Sequence, residues 1–295
     1  MLKACSMCPR KCRVNRLENE TGFCRTGLEA RVYSYMPHHG EEPPISGSRG
    51  SGTIFFSNCN MACAYCQNYR FSQLGEGSEA SPEELAGIMI KLKGLGCHNI
   101  NLVTPTHVMP QIVSAIELAR SKGLDIPIVY NTGGYELPWV IRMLEGTVDV
   151  YLVDMRYADT AGAEKYSNAP DYPLYNMESV KEMSRQVGTA KMDKEGVIEK
   201  GIVIRHLVLP GGVSGTDRIM KFIAEEISQD TYISLMSQYH PYYNSSDFNE
   251  IARKITTDEY LDARRSMERH GLHNGWIQEA GGREALAGVN IDPKF

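Results

Sequence analysis

The chain has 295 residues, enough for one α/β barrel or two modest domains. Its 42% hydrophobic and 23% charged residues give the balance of a globular protein, and no apolar run approaches the roughly 18 residues that span a bilayer. A net charge of -5 supplies no general attraction for polyanions, so neither nucleic acid nor a membrane is expected as a partner. The opening MLKACSMCPRKCR is basic but lacks the apolar stretch and small-residue cleavage site of a secretory signal, which predicts a cytoplasmic protein.

Of the 8 cysteines, Cys5, Cys8, Cys12 and Cys24 form one group, Cys59, Cys63 and Cys66 a second, and Cys97 stands alone. Such clustering points to metal ligation; the alternative, a disulfide framework, belongs to small secreted chains that cannot build a core. Between the two groups, PHHGEEPPISGSRGSG concentrates Pro, Gly and Ser and reads as a linker, with His38 and His39 as linker residues.

From Thr53 onward, short runs rich in Val, Ile and aromatics alternate with helical segments, the pattern of βα units around a parallel sheet. Strands are predicted near Thr53 to Phe56, Ile100 to Val103, Ile128 to Asn131, Val150 to Val153, Ile202 to Leu207 and Tyr232 to Met236. Ser81, Pro82 and Glu84 read as a capping box opening a helix whose apolar stripe is Ile88, Leu92 and Leu95, ended by Gly94 and Gly96. A second helix spans about Pro110 to Ser121, with Ile112, Ile116 and Leu118 near one face, and stops at Gly123. The polar stretch Gly188 to Lys200 reads as a loop or small hairpin, and Thr257 to His270 as a solvated helix closed by Gly271. Six such units make an α/β fold, an open TIM-like barrel whose chemistry sits at the C-terminal ends of the strands. The expected division is a cysteine-rich metal-binding segment and linker over residues 1–50, the barrel over 51–245 and a helical extension over 246–295.

The first barrel strand runs straight into Cys59-x3-Cys63-x2-Cys66, which presents three thiols at that end. Three thiolates hold three irons of a 4Fe-4S cluster and leave the fourth open to a substrate, whereas four ligands would close the cluster for electron transfer alone. A structural zinc site and plain buried thiols are the other readings. The amino-terminal set, Cys5, Cys8, Cys12 and Cys24, has enough thiolates for zinc or a second cluster, or is a reduced segment without metal. Cys97 reads as a small buried apolar residue.

Cys59, Cys63, Tyr65 and Cys66 match the Cys-x3-Cys-x-aromatic-Cys hallmark of the radical S-adenosylmethionine (SAM) enzymes, which this chain resembles. Within that superfamily it is similar to the branch of pyruvate formate-lyase activating enzyme homologues. The likeness lies in the Cys-Met-Cys-Pro stretch at Cys8, GEEPPISG, CQN, TPTH, YNTGGY and IRHLVLPG. The resemblance implies a partial (β/α)6 barrel with the cysteine-rich N-terminal extension. It implies a 4Fe-4S cluster whose open iron binds SAM through its amino and carboxylate groups, and reductive cleavage to methionine and a 5'-deoxyadenosyl radical. It further implies an electron donor such as flavodoxin or ferredoxin and, as substrate, a glycyl radical enzyme; a small molecule or another protein stays open. A protein that uses its thiolate sites for electron transfer or as a scaffold is the competing class.

By position the resemblance carries further cofactor contacts, beginning with the motif's aromatic, Tyr65. Thr104 and Thr106 stand where activating enzymes have a Gly-Gly-Glu stretch that holds the amino group of SAM; they also read as turn residues, and His107 as a capping or packing histidine. Asn131 replaces the Asp of an Asp-Thr-Asn-Gly-like turn, with a plain glycine turn as the alternative. Asp154 and Arg156 resemble an Asp-x-Lys pair, Arg156 facing a carboxylate, or form a rim salt bridge. Arg205 matches an arginine of the activating enzymes; alternation turns either it or His206 inward, where a structural ion pair is the rival reading. Gln238, Tyr239 and His240 follow the last strand, where the family contacts adenine. Asn58 precedes the first motif cysteine where activating enzymes often have glycine.

Overall fold

The chain enters its sheet earlier than the cysteine pattern predicts. Strand β1 (Ala30–His38) runs antiparallel to β2 (Ser51–Phe56), and β3 (Ser78–Ala80) pairs with the far edge of β1. The computed structural model describes residues 1–277. From β2 the sheet continues in parallel through β4 (Ile100–Val103), β5 (Ile128–Thr132), β6 (Val150–Asp154), β8 (Ile198–Leu207) and β9 (Tyr232–Met236). A short β10 (Gly275–Ile277) extends the far edge in parallel, and β7 (Lys191–Met192) folds back on β8 as the hairpin predicted near Gly188 to Lys200. All six predicted strands are therefore present, each joined to the next in chain order, as a partial TIM-like barrel. No helix among the described residues is long and apolar enough to cross a membrane.

The helices cover the outside. Ser81 caps Pro82–Gly94 with the reciprocal Ser81 and Glu84 hydrogen bonds of a capping box. Its buried face is Leu85, Ala86, Met89 and Leu92; Leu95, expected in the apolar stripe, is exposed because it sits past the helix end. The helix Met109–Ser121 buries Ile112 and Ile116 as expected. Thr257–Arg269 is solvated on one side only: Tyr260, Ala263 and Met267 enter the core that covers β8 and β9. Cys97 is buried, as its sequence position predicts.

The Pro37 to Gly52 stretch is not a linker. Pro37 and His38 close β1, and Ser51 and Gly52 open β2, so both ends are fixed by pairing. Between them the short helix Pro43–Ser46 drives Ile45 into the inner core with Val129, Val150, Leu152, Ile198 and Val203. Asn99 ties this floor to β4 by donating to the Ile45 carbonyl at 2.8 Å. Gly47 leaves the helix at φ 50°, where an added Cβ would lie 2.6 Å from the His98 ring, so a side chain is excluded on both counts. Ile45→Ala is expected to destabilise the fold by about 2 to 5 kcal/mol, read from the midpoint of chemical denaturation.

At the opposite end, Glu136 joins the loops after β4 and β5. Its carboxyl accepts from the Thr106 and Thr132 hydroxyls, each at 2.6 Å, and from Tyr130 at 3.4 Å. Burial pushes this carboxyl up to about 7, the three hydroxyls opposing the rise. The folded chain therefore binds a proton that the unfolded chain has released above its ordinary value of 4.5, and stability falls as pH climbs from there to about 7. Glu136→Gln should remove that slope: subtracting its denaturation curve from the wild type should show a loss of about 3 kcal/mol confined to this window.

Candidate active site

The loop Cys59 to Cys66 leaves the C-terminal end of β2 without regular structure of its own and is held by its neighbours. Asn58 takes φ 71° and donates its backbone N–H to Phe71. Asparagine is the residue besides glycine that best tolerates this left-handed turn, so the chain meets the backbone demand at that position. Ala62 and Ala64 donate to the carbonyls of Ser167 and Tyr166, which fixes the middle of the loop. Tyr65 is buried, accepts from the Tyr157 hydroxyl at 2.7 Å and meets the Tyr239 ring edge-on.

The thiols lie near enough to affect one another's ionisation. Burial pushes Cys59 up to about 12 and Cys66 up to about 11, and the charge of Cys63 adds to both, while Arg156 opposes. Ser167 donates to Cys63 Sγ at 3.1 Å, and Cys66 Sγ shares a hydrogen bond with Ser72. Among the described residues no three Cys, His, Asp or Glu groups are already set around a common metal position. The donor set nonetheless fits an iron-sulfur cluster: three thiols share one loop, and burial holds those of Cys59 and Cys66 protonated in the absence of a cation, which iron would supply. Arg156 supports the fit, since its Nη1 reaches Cys63 Sγ at 3.8 Å while its buried Nε has no partner among the described residues.

Register then brings four of the predicted residues together. Asp154 on β6 pairs with Arg205 on β8, and Arg205 with Ser234 on β9, all facing inward. Asp154 binds Arg205 at 2.7 Å and Arg156 at 2.5 Å. Burial alone would raise the Asp154 carboxyl, but the two guanidiniums outweigh it and hold the group below its usual range. Arg205 also donates to Asn131 Oδ1 at 2.6 Å and meets Glu41 at 3.4 Å. His206 points to the other face, neutral and bonded to the Met155 carbonyl and Thr216, because burial depresses it to about 4.

The remaining predicted residues lie around that network. Thr104 adopts φ 61°, its N–H bonded to Asn131, and the Thr106 hydroxyl is buried against Glu136. His107 packs neutral beneath the rim, 2.7 Å from the Ser57 carbonyl. His240 stacks on Tyr242, in a loop joined to the cysteine loop through Gln67 and the Gln238 carbonyl.

The amino-terminal segment docks on this same end. Arg10 donates to the Asn60 carbonyl within the cysteine loop and lies over Phe23; Arg25 reaches the Gln73 carbonyl; Arg16 is fully buried and donates to the His107 carbonyl. Burial pushes Cys8 up to about 12, with Cys24, Glu136 and Cys5 close enough to add to the rise. Cys12 accepts from the Phe23 N–H at its edge.

Sequence reasoning missed the two glutamates of GEEPPISG. Glu41 accepts from Asn101, Asn131 and Arg205 inside the barrel, and Glu42 lines the same interior. The signal was present: the run RVYSYM has the β-branched and aromatic character of a strand, which makes the next turn part of the sheet and not a linker.

The profile of the Radical SAM superfamily matches residues 53–185, from β2 through the cysteine loop and past β6. Two uncharacterised proteins of Methanocaldococcus jannaschii are similar along most of the chain. One is 30% identical over 282 residues, 92% of this chain and 76% of the relative; the other is 22% identical over 284 residues, 87% and 78%. Among solved structures, HydG, a maturase of the FeFe-hydrogenase, aligns at a TM-score of 0.49 and 12% identity over 73% of this chain and 47% of that one. Methylornithine synthase PylB aligns at 0.44 and 14% identity over 74% and 62%, so this chain spans less than two thirds of either solved structure. With its profile match and its three thiols at the end of the first barrel strand, the chain belongs to the radical SAM superfamily.

Proposed function

We propose that this chain reductively cleaves SAM and uses the product for hydrogen abstraction, on the pattern of the pyruvate formate-lyase activating enzyme homologues. The observation that carries the reading is three thiols on one short loop at the C-terminal end of β2, Cys63 buried and Cys59 and Cys66 half-buried, with Arg156 reaching Cys63 Sγ at 3.8 Å. Cys59, Cys63 and Cys66 would hold a 4Fe-4S cluster, which when bound and fed by a donor such as flavodoxin or ferredoxin would supply the electron for splitting SAM into methionine and a 5'-deoxyadenosyl radical. The protein's own groups bind and shield. Arg156 offers its unpartnered Nε to the SAM carboxylate while Asp154 keeps the guanidinium aimed; Asn131 and Arg205 line the barrel below, and Thr104, Thr106, Tyr65 and His240 frame the rim. The tyrosines around Tyr65 exclude water from a site that generates a radical. Cys5, Cys8, Cys12 and Cys24 form a second thiolate site for zinc or another cluster, docked by Arg10 on the first. Activation of a glycyl radical enzyme is the substrate that the branch implies. The cavity inside the barrel favours a small molecule instead.

Anaerobic reconstitution, reduction and assay of 5'-deoxyadenosine from SAM test this reading. The wild type should form product, and Cys63→Ala should form none while keeping metal at the amino-terminal set. An intact cluster that yields no product, and whose spectrum SAM leaves unchanged, would make the protein an electron carrier or scaffold. Arg156→Lys, which cannot present Nε to a carboxylate, should raise the SAM concentration for half-maximal cleavage by about tenfold or more, with the cluster spectrum unaltered.

A further inference from the structure

The open side of the barrel, between β2 and β10, contains a cavity of about 430 Å³. Glu41, Glu42 and Pro43 form its floor, Asn131, Arg205 and Ser234 its inner wall, and Trp276 its outer edge. Gln67 and Asn68, directly after Cys66, stand at its rim, so the space opens toward the cysteine loop.

Its charges do not balance. Among the described residues the interior network holds three carboxyls, Glu41, Glu42 and Asp154, against two guanidiniums, Arg156 and Arg205. Asp154 takes both guanidiniums, and Glu41 takes Arg205 together with the amides of Asn101 and Asn131. Glu42 is left. It is 9% exposed, Ser234 donates to it, and its Oε2 is buried with no partner among the described residues. Burial pushes this carboxyl above its ordinary range, with Glu41 adding to the rise and Arg205 opposing it. A buried carboxylate oxygen without a donor is costly, and a ligand that delivers a positive charge and an N–H removes the cost.

We propose that this cavity binds the ammonium or guanidinium head of a small-molecule substrate, with Glu42 as its counter-ion and Glu41 beside it. This rests on the reading of the same barrel as a radical SAM site, and names the substrate class for it. The volume suits a compact metabolite-sized ligand, and entry through the open side places its far end beneath the cysteine loop.

The test uses the full-length reconstituted protein and three probes, cadaverine, agmatine and the uncharged 1,5-pentanediol, read by tryptophan fluorescence from Trp276 and by thermal shift. The two cations should bind saturably and the diol should not. Glu42→Gln, which keeps the shape and removes the charge, should weaken the cations about tenfold to a hundredfold, and Ser234→Ala should weaken them less. Cations that bind no better than the diol, or that bind Glu42→Gln as well as the wild type, would overturn the proposal. So would a Glu42→Gln defect in SAM binding alone, because the charge would then serve the cosubstrate. Deoxyadenosine assayed in the same preparations separates the two readings. Cation binding without SAM cleavage supports the cavity and sinks the enzymatic reading, while cleavage without cation binding sinks only the cavity.

Discussion

Asp154 is the group on which the site's arrangement depends. One carboxylate at the end of β6 holds two guanidiniums, and each of them carries the arrangement to a different part of the molecule. Arg156 carries it up to the cysteine loop through Cys63, and Arg205 on β8 carries it across β6 to Asn131 on β5 and down to Glu41 on the floor. Such a buried network is worth little as net stability, since desolvation offsets most of the attraction. Its value is positional: with both ends of each ion pair fixed, the long arginine side chains lose the freedom to wander in a cavity.

The barrel strands were legible because a parallel sheet covered on both faces needs near-continuous apolar runs, and Ile100 to Val103 or Val150 to Val153 are such runs. The cysteine loop was legible for a different reason, its spacing being dictated by chemistry more than by packing. What escaped was structure that depends on partners distant in sequence. GEEPPISG has the composition of a connector, and only the pairing of β1 with β2 turns it into the floor of the barrel with two carboxyls inside. Glu136 escaped likewise, because its environment is assembled from Thr106 in the turn after β4 and from Tyr130 and Thr132 on β5. Leu95 was misread because a helical period carries no marker of where the helix stops.

The two cysteine groups, separate in sequence, share one end of the molecule. Arg10 and Arg25 bind backbone carbonyls in and beside the loop that follows β2, and Arg16 does the same for the loop that follows β4. These bonds read backbone shape, and side-chain contacts such as Asn58 to Thr26 and Arg10 over the Tyr135 ring add to them.

The floor helix also has a bearing on how the chain acquires its structure. Ile45 belongs to the first fifth of the chain, yet it packs against Val203 and Ile198, which come about 150 residues later. Contacts so far apart in sequence must wait for the intervening units to form, because closing a long loop costs entropy that only the completed interior repays. During synthesis the segment made early is thus covered late, and until β8 is in place an isoleucine and two glutamates share an unfinished interior. A chain arrested at that point exposes apolar surface beside unpaired carboxylates, the kind of intermediate that chaperones hold.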